Sequence, residues 1–164
     1  MKDIARSRRF FLGTAIAGIA LPLLGGCGAS PAQAKSYRIA KPEAQWRERL
    51  TKGEYYILRD AGTERAYTSP LNAEKRKGIF VCAGCGNRLY SSAHKYDSGT
   101  GWPSFYQAID KGAVGTSTDY KIGYPRTEVH CADCGGHLGH IFGDGPAPTG
   151  KRHCINGLAM DFIP

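Results

Sequence analysis

The stretch 82–86 reads Cys-Ala-Gly-Cys-Gly, and the stretch 131–135 reads Cys-Ala-Asp-Cys-Gly. A Cys-x-x-Cys turn brings two sulfurs to one side, and the glycine after each turn can adopt a positive φ. Two such turns supply four thiolates, which is the ligand set of one structural zinc ion. Because 45 residues separate the two turns, zinc would clip two distant β-hairpins together. The predicted ligands are Cys82, Cys85, Cys131 and Cys134.

Two other uses of these four cysteines stay open. In an oxidising compartment they could form two disulfides. A rubredoxin-like iron site is the second alternative. The matched spacing of the two turns favours a metal, and a four-sulfur site has no open position for a substrate, so the metal would be structural.

Short β-prone runs separated by glycine, proline and asparagine dominate the rest of the chain. Upstream of them, Pro42 could begin a helix, and Thr-Lys-Gly-Glu at 51–54 has the spacing of a capping box before a second helix over 55–60. The pattern predicts a mainly β domain, with antiparallel sheets and one or two short N-terminal helices. The β-prone runs are 79–82, 88–91, 120–124, 127–131, 138–142 and 155–162.

Residues 1–34 have the features of an export signal. Arg8 and Arg9 precede Phe-Phe-Leu in a pattern that resembles the twin-arginine motif, and the apolar stretch that follows is short and weak for a membrane span. Two processing sites compete: a lipobox that ends at Cys27, and the Ala-Gln-Ala sequence at 32–34. Cys27 is then either lipidated or removed. The sequence predicts an exported, periplasmic domain over 35–164, with a lipid anchor at Cys27 as one of the two outcomes.

The charge of the chain argues against a nucleic-acid partner. The formal net charge is +8, and residues 1–34 contribute four basic residues against one acidic residue, so +5 remains for the domain. This charge is dispersed along the sequence, which favours a solvated surface over a nucleic-acid interface. We expect a monomer that touches membrane only through its signal or lipid anchor.

A fifth cysteine of the domain, Cys154, stands apart from the pairs. Arg152 and Asn156 lie two residues on either side of it, and on a strand these three side chains would share a face. The arginine would lower the pKa of the thiol, so Cys154 is the candidate nucleophile. His137 and His140 are candidate hydrogen-bond donors or acids, with a second metal site as the alternative. The remaining histidines are expected to be structural or on the surface: His94, His130 and His153.

A glycine-rich turn at 97–105 precedes these elements and presents two aromatic residues. Trp102, between a glycine and a proline, is expected to lie in a site where it could bind a soft methyl-sulfur group. Phe105 is either a second contact in that site or part of the core.

These motifs resemble those of the B-type peptide-methionine sulfoxide reductases over nearly all of residues 43–164. The resemblance implies that Cys154 attacks the sulfur of an oxidised methionine, of the R epimer, and becomes a sulfenic acid. It also implies that His137, His140 and Asn156 line the pocket, that Arg152 supports the thiolate and that Trp102 packs on the substrate methyl group. The shared motifs are Trp-Arg at 46–47 with Leu50, 62–66, the two cysteine turns, 101–105, 137–142, 144–146, 148–150 and 152–156.

The chain departs from many members of that family at Thr100, where they place a resolving cysteine. With Cys27 not available as a thiol and four cysteines on zinc, we expect an external, thioredoxin-like thiol donor to reduce Cys154. Oxidised proteins or peptides would be the substrates, which corresponds to protein repair under oxidative stress.

Three other functions would each need a feature of their own. A non-catalytic zinc module would need a basic face rich in aromatic residues, and a thiol exchanger would need a Cys-x-x-Cys pair without metal. A zinc hydrolase would need an open metal position. The zinc assignment and the separate fifth cysteine both favour the sulfoxide reductase.

Overall fold

The computed structural model describes residues 36–164, so the twin-arginine motif, the lipobox at Cys27 and the cleavage site at 32–34 lie outside the described residues. The described part consists of two short helices followed by nine strands, and every strand pair is antiparallel. The predicted fold class, mainly antiparallel β with short N-terminal helices, is confirmed. Residues 36–164 belong to one compact unit.

The two helices are α1 (Glu43–Arg49) and α2 (Lys52–Leu58). The Thr51 hydroxyl accepts a hydrogen bond from the Glu54 backbone N–H at 3.3 Å, and the Glu54 carboxylate accepts one from the Thr51 N–H at 2.8 Å. This is the capping box that the sequence predicts, and α2 begins at Lys52, directly after the N-cap Thr51 and three residues before the expected start. Among residues 36–164, no helix combines the length and apolar character that a membrane span requires.

The strands build two sheets. The three-stranded sheet has the order β2-β1-β9, and the six-stranded sheet has the order β3-β4-β8-β7-β6-β5. The strands are β1 (Ile79–Cys82), β2 (Arg88–Ser91), β3 (Lys95–Tyr96), β4 (Ser104–Phe105), β5 (Val114–Asp119), β6 (Arg126–Cys131), β7 (His137–Phe142), β8 (Arg152–Ile155) and β9 (Met160–Ile163).

The core lies where the two sheets and the helices meet. Phe80 of the small sheet meets Phe105 of the large sheet edge to face, with ring centroids 5.0 Å apart. Trp46 and Leu58 of the helices belong to the same buried cluster. Aromatic contacts of this kind add to the burial of apolar area, so they help to fix the two sheets against each other.

Two predicted strands are wrong. Residues 120–124 form the turn of the β5–β6 hairpin, in which the Asp119 carboxylate accepts a hydrogen bond from the Lys121 N–H and Gly123 has φ +89°. The run 155–162 is divided by a 3-10 helix over Gly157–Ala159, which separates β8 from β9. In both cases β-prone side chains are overridden by local turn chemistry.

Candidate active site

The four paired cysteines lie on two equivalent hairpin turns. Cys82 ends β1 and Cys131 ends β6, and each turn closes through a hydrogen bond from the following glycine N–H to the first cysteine carbonyl, 2.7 Å at Gly86 and 2.9 Å at Gly135. Both glycines have the positive φ expected from the sequence, +77° and +69°. One turn belongs to the small sheet and the other to the large sheet.

The four sulfurs fit a tetrahedral metal ion. They all lie within 4.8 Å of one another, with Cys82 3.8 Å from Cys134 and Cys85 3.6 Å from Cys131. A zinc ion bonded to sulfur at about 2.3 Å would space its ligands about 3.8 Å apart. All four are free thiols. Contact with the other sulfurs, together with burial, raises the pKa of Cys82, so four thiolates require a cation among them.

Bound zinc would supply a crosslink between the two sheets and no open coordination position. The second cysteine turn has further partners that would hold its backbone in place. Arg59 donates a hydrogen bond to the Cys134 carbonyl at 3.2 Å, and the Ile39 N–H donates one to the Asp133 carbonyl at 2.8 Å.

Cys154 lies in the middle of the large sheet, on β8 between β4 and β7. Its direct cross-strand neighbours are Ser104 on β4 and His140 on β7, and Glu128 on β6 lies opposite His140. Directly opposed residues project to the same face of a sheet. One face of the large sheet therefore carries a row made of a hydroxyl, a thiol, an imidazole and a carboxylate.

Cys154 opens into a pocket of about 130 Å³ on this face. The pocket brings together Cys154, His140, Trp102 and Asn156 from the predicted site, and adds three side chains that the sequence did not indicate. The lining residues are Thr63, Trp102, Arg126, Gly139, His140, Phe142, Cys154 and Asn156. A larger hollow of about 310 Å³ lies beside Gly157 and Leu158, but no cysteine or histidine lines it.

His140 is held by a carboxylate. Its Nε2 lies 2.8 Å from Oδ2 of Asp119, and that oxygen also accepts a hydrogen bond from Arg126 at 2.5 Å. Hydrogen bonds from the Lys121 backbone and from His140 keep the pKa of Asp119 well below its usual value, so this carboxylate is ionised. Burial lowers the pKa of His140, although Asp119 acts in the opposite direction. The imidazole is therefore neutral at pH 7.

His137 lies beside His140 but outside the pocket. Its Nδ1 lies 2.7 Å from the Glu128 carboxylate, whose pKa His137 and Ser117 hold at about 2. The His137 and His140 rings meet edge to face with centroids 5.4 Å apart. Nε2 of His137 is buried and has no hydrogen-bond partner among the described residues. The structure thus brings His137 to the His140 ring and not to the Cys154 pocket.

Asn156 has both ends of its amide engaged. Oδ1 accepts a hydrogen bond from the Glu64 N–H at 3.0 Å, and Nδ2 donates to the Leu138 carbonyl at 3.0 Å. Glu64 also receives the Trp102 indole N–H on its carbonyl at 3.1 Å. Its buried carboxylate accepts the backbone N–H groups of Gly157 and Leu158 at 2.5 and 3.0 Å. Glu64 therefore holds two pocket residues at once.

Arg152 projects beside the thiol and pairs with Asp144 through two hydrogen bonds of 2.9 Å. Its guanidinium also lies over the Phe142 ring, 4.5 Å from the centroid. The expected effect on the thiol is only partial: burial raises the pKa of Cys154, while Arg152 and Thr100 lower it by less. Arg152 thus lowers the pKa of the thiol as predicted, but burial outweighs it, and the pKa of Cys154 is raised in the free protein.

Phe105 is not part of the pocket. It is fully buried and stacks on the Tyr90 ring with centroids 4.4 Å apart, on the face of the sheet opposite to Ser104 and Cys154. Successive residues on a strand point to opposite faces, so Ser104 and Phe105 cannot share one. This corrects the assignment of Phe105 to the substrate site and leaves the core alternative.

Two of the three remaining histidines are buried. His153 is hydrogen-bonded to the Tyr90 hydroxyl at 3.1 Å, and burial lowers its pKa to about 4. His130 contacts the Tyr37 ring edge to face. His94 is half-buried and lies 3.1 Å from the Gln107 amide.

Comparison with known proteins gives one consistent family. Residues 50–164 match the SelR domain. A protein of Leifsonia xyli is 50% identical over 129 residues, which are 78% of this chain and 93% of the relative. One from Leptospira interrogans is 50% identical over 127 residues, 77% of this chain and 97% of the relative. One from Thiobacillus denitrificans is 51% identical over 124 residues, 76% of this chain and 94% of the relative.

All three relatives are named "Peptide methionine sulfoxide reductase MsrB". The match covers both cysteine turns and the pocket residues around Cys154. The SelR domain covers more than two thirds of this chain, and the relatives are about 50% identical to it. The chain therefore belongs to the SelR-domain family.

Proposed function

We propose that this chain reduces the R epimer of methionine sulfoxide in oxidised proteins or peptides, with Cys154 as the nucleophile. The chain is an oxidoreductase of the methionine sulfoxide reductase class. The observation that supports the role of Cys154 is its position in the lining of a small pocket that His140 and Trp102 also line. Of the five cysteines between residues 36 and 164, it alone lies outside the metal cluster.

The proposed reaction begins when the Cys154 thiolate attacks the sulfoxide sulfur. The oxygen transfers to the cysteine sulfur as a proton arrives, so the products are methionine and a sulfenic acid. The substrate sulfur gains two electrons and the cysteine sulfur loses two. His140, as an imidazolium balanced by Asp119, is the proposed source of the proton, because a neutral Nε2–H is already donated to the carboxylate.

Epimer selection would follow from the two walls of the pocket. In the proposed complex the oxygen lies toward His140 and the methyl group toward the Trp102 indole. With these two groups fixed, the R and S epimers exchange the positions of the side-chain carbon and the lone pair. Only one epimer then presents its sulfur to Cys154 in the reactive orientation. The indole is fixed by its hydrogen bond to Glu64, which keeps this wall in place. Sulfur packs well against aromatic rings.

The sulfenic acid is proposed to be resolved by an external thiol. Thr100, and not a cysteine, lies 4.0 Å from the Cys154 sulfur. A thiolate from a thioredoxin-like donor would displace water to give a mixed disulfide, and a second donor thiol would then release reduced Cys154. Mass spectrometry after one turnover tests this step. A stable internal disulfide that includes Cys154 would contradict it.

The catalytic proposal is tested by single-turnover reduction of separated R and S epimers of a methionine sulfoxide peptide. The zinc-loaded full chain and its Cys154→Ser variant are compared without added reductant. We expect about one equivalent of methionine from the R epimer, none from the S epimer, and none from the variant. Conversion of the S epimer, or conversion by Cys154→Ser, would refute the assignment.

The cell envelope is the proposed location, supported by the Arg8-Arg9 motif and the apolar stretch after it. Replacing both arginines with lysine should retain the protein in the cytoplasm, and fractionation measures this. Replacing Cys27 with serine should abolish partitioning into detergent if the lipobox is used. An unchanged distribution of the arginine variant would contradict the twin-arginine route.

A further inference from the structure

Three side-chain hydroxyls lead away from the Cys154 sulfur. The sulfur lies 4.0 Å from Oγ1 of Thr100, which lies 2.8 Å from Oγ of Ser98. Ser98 Oγ lies 2.7 Å from Oγ of Ser104, and the Ser104 hydroxyl donates to the Trp102 carbonyl at 3.2 Å. An unbroken run of contacts thus joins the reacting sulfur to the backbone of the residue that walls the pocket.

Only one arrangement of protons satisfies all four contacts. A carbonyl oxygen can only accept, so Ser104 must donate to it, and each hydroxyl has a single proton. Ser98 must then donate to Ser104, Thr100 to Ser98, and the Cys154 thiol to Thr100. The run therefore has a direction, and in the resting protein it accepts the thiol proton at its open end.

We propose that Thr100 controls the ionisation of Cys154 by reversing its hydroxyl, with Ser98 as the acceptor that competes for the Thr100 proton. The inference rests on the proposed role of Cys154 as the nucleophile. When the thiol proton leaves to solvent through the pocket, Thr100 turns its O–H from Ser98 onto the sulfur. The hydrogen bond to the thiolate is charge-assisted and gains more than a neutral one, but the Thr100–Ser98 bond is lost. Burial raises the pKa of Cys154, and Thr100 acts against that effect.

The charged and titratable groups around the sulfur are the same in the variants that test this. Arg152 lies on the strand of Cys154 and is paired with Asp144. His140 lies on the neighbouring strand β7 and Arg126 on β6, the next strand beyond it, and both line the pocket. On β3, Tyr96 has a hydroxyl that is buried without a partner among the described residues. None of these groups contacts Ser98 or Thr100 through the hydrogen bonds described above, so changes in the hydroxyl run can be separated from their effects.

The proposal requires shifts of opposite sign in two variants. Thr100→Val removes the donor to the thiolate, so the midpoint of the pH profile of Cys154 alkylation should rise by about half a unit to one unit. Ser98→Ala removes the competing acceptor and frees the Thr100 hydroxyl for the sulfur, so the midpoint should fall by roughly the same amount. Thr100→Ser keeps the hydroxyl and should behave as the original chain does.

The measurement is the rate of iodoacetamide modification of Cys154 between pH 6 and 10, followed by mass spectrometry of the peptide that carries it. The zinc-loaded full chain with Cys27→Ser is the background for all variants, and thermal melting checks that each one folds. Thr116→Val, at an exposed position on β5, is the matched control and should cause no shift. Shifts of the same sign in Thr100→Val and Ser98→Ala, or no shift in either one, would overturn the proposal.

This test is independent of sulfoxide reduction. Alkylation reports the ionisation of Cys154 whether or not the chain reduces a sulfoxide, so failure of the proposed function would leave the opposite shifts intact. Conversely, if turnover is normal and epimer-selective but the alkylation midpoint shifts in the same direction in both variants, only the role of the hydroxyl run is refuted.

Discussion

At the scale of single residues, the chemistry of this site depends on which ring nitrogens carry protons. Asp119 and Glu128 are ionised, so each accepts a hydrogen bond from its histidine. A neutral His140 then keeps its proton on Nε2, and only its imidazolium form has a second proton to give to a leaving oxygen. In the proposed reaction Cys154 must also lose its proton, although burial favours the thiol.

These opposed requirements predict a pH profile with a plateau. Burial lowers the pKa of His140 and raises that of Cys154, so the reactive pair is a minor form at neutral pH. Below the pKa of His140 the single-turnover rate should rise with pH as thiolate accumulates. Between the two pKa values the gain in thiolate offsets the loss of imidazolium, and above the pKa of Cys154 the rate should fall. A rate that climbs steadily through pH 6 to 9 would show that no acid of low pKa takes part.

Asp119→Asn should lower the plateau and move its acid edge to lower pH. The variant loses the charge that opposes burial at His140, so the pKa of His140 falls further and less imidazolium is present at pH 7. We expect the single-turnover rate to drop roughly tenfold to a hundredfold. Asp161→Asn, at an exposed position on β9, is the control and should keep the original rate. An unchanged rate in Asp119→Asn would remove His140 from the proton-transfer step.

At the scale of secondary-structure elements, the 3-10 helix over Gly157–Ala159 determines how the pocket is assembled. It directly follows Asn156, and its first N–H groups are bound by the Glu64 carboxylate. The Glu64 backbone holds the Asn156 amide and the Trp102 indole. One residue of an irregular loop thus links the end of β8, the 3-10 helix and the pocket wall.

Glu64→Ala should therefore impair stability and catalysis together. The buried Gly157 N–H would lose its acceptor, at a cost of about 1–3 kcal/mol, and the part-buried Leu158 N–H would lose its acceptor as well. We expect a fall in melting temperature and a rise in KM for the sulfoxide peptide, because the loop whose Glu64 carbonyl holds the Trp102 indole loses its side-chain anchor to the 3-10 helix. Glu48→Ala, on the exposed side of α1, controls for the loss of a surface charge. An unchanged melting temperature and an unchanged KM in Glu64→Ala would show that the Glu64 contacts stabilise neither the fold nor the pocket.

The sequence was a good guide to some elements and a poor one to others. The capping box of α2 and the two cysteine turns depend on residues close together in the chain, so their patterns predict them. Strand β5 was missed, because its Thr, Ser and Gly residues carry no apolar alternation. Asp119 and Glu64 were missed as site residues, because their partners are 21 and 92 residues away and follow from strand register and loop packing. The sequence left Phe105 open between the site and the core, because its face depends on a two-residue strand that no pattern indicates.

At the scale of the whole molecule, the four cysteines are the point where the two sheets can be joined by one ion. β1 belongs to the small sheet and β6 to the large one, and their cysteine turns meet. The sulfurs lie at the spacing of a tetrahedral site, so binding of zinc and folding of the domain are expected to be coupled.

Removal of the metal should lower the stability of the folded domain and not only the rate of its reaction. Cys134→Ser should lower the zinc content from about one ion per chain and lower the melting temperature by roughly 10 °C, because a loss of a few kcal/mol has this effect in a domain of this size. Elemental analysis and calorimetry measure the two quantities. Cys154→Ser is the matched control and should retain both. Full thermal stability in zinc-free Cys134→Ser would refute the structural role.

The pocket on the sheet face has room for little more than one side chain, since its volume is about 130 Å³. An enzyme with such a pocket would bind a single oxidised side chain and make few contacts with the residues around it. The choice of substrate would then depend on the substrate proteins, through the extent and duration of exposure of each oxidised methionine. Methionine sulfoxides in loosely folded chains would be reduced first, and those buried in a rigid core would be reduced only when the core opens.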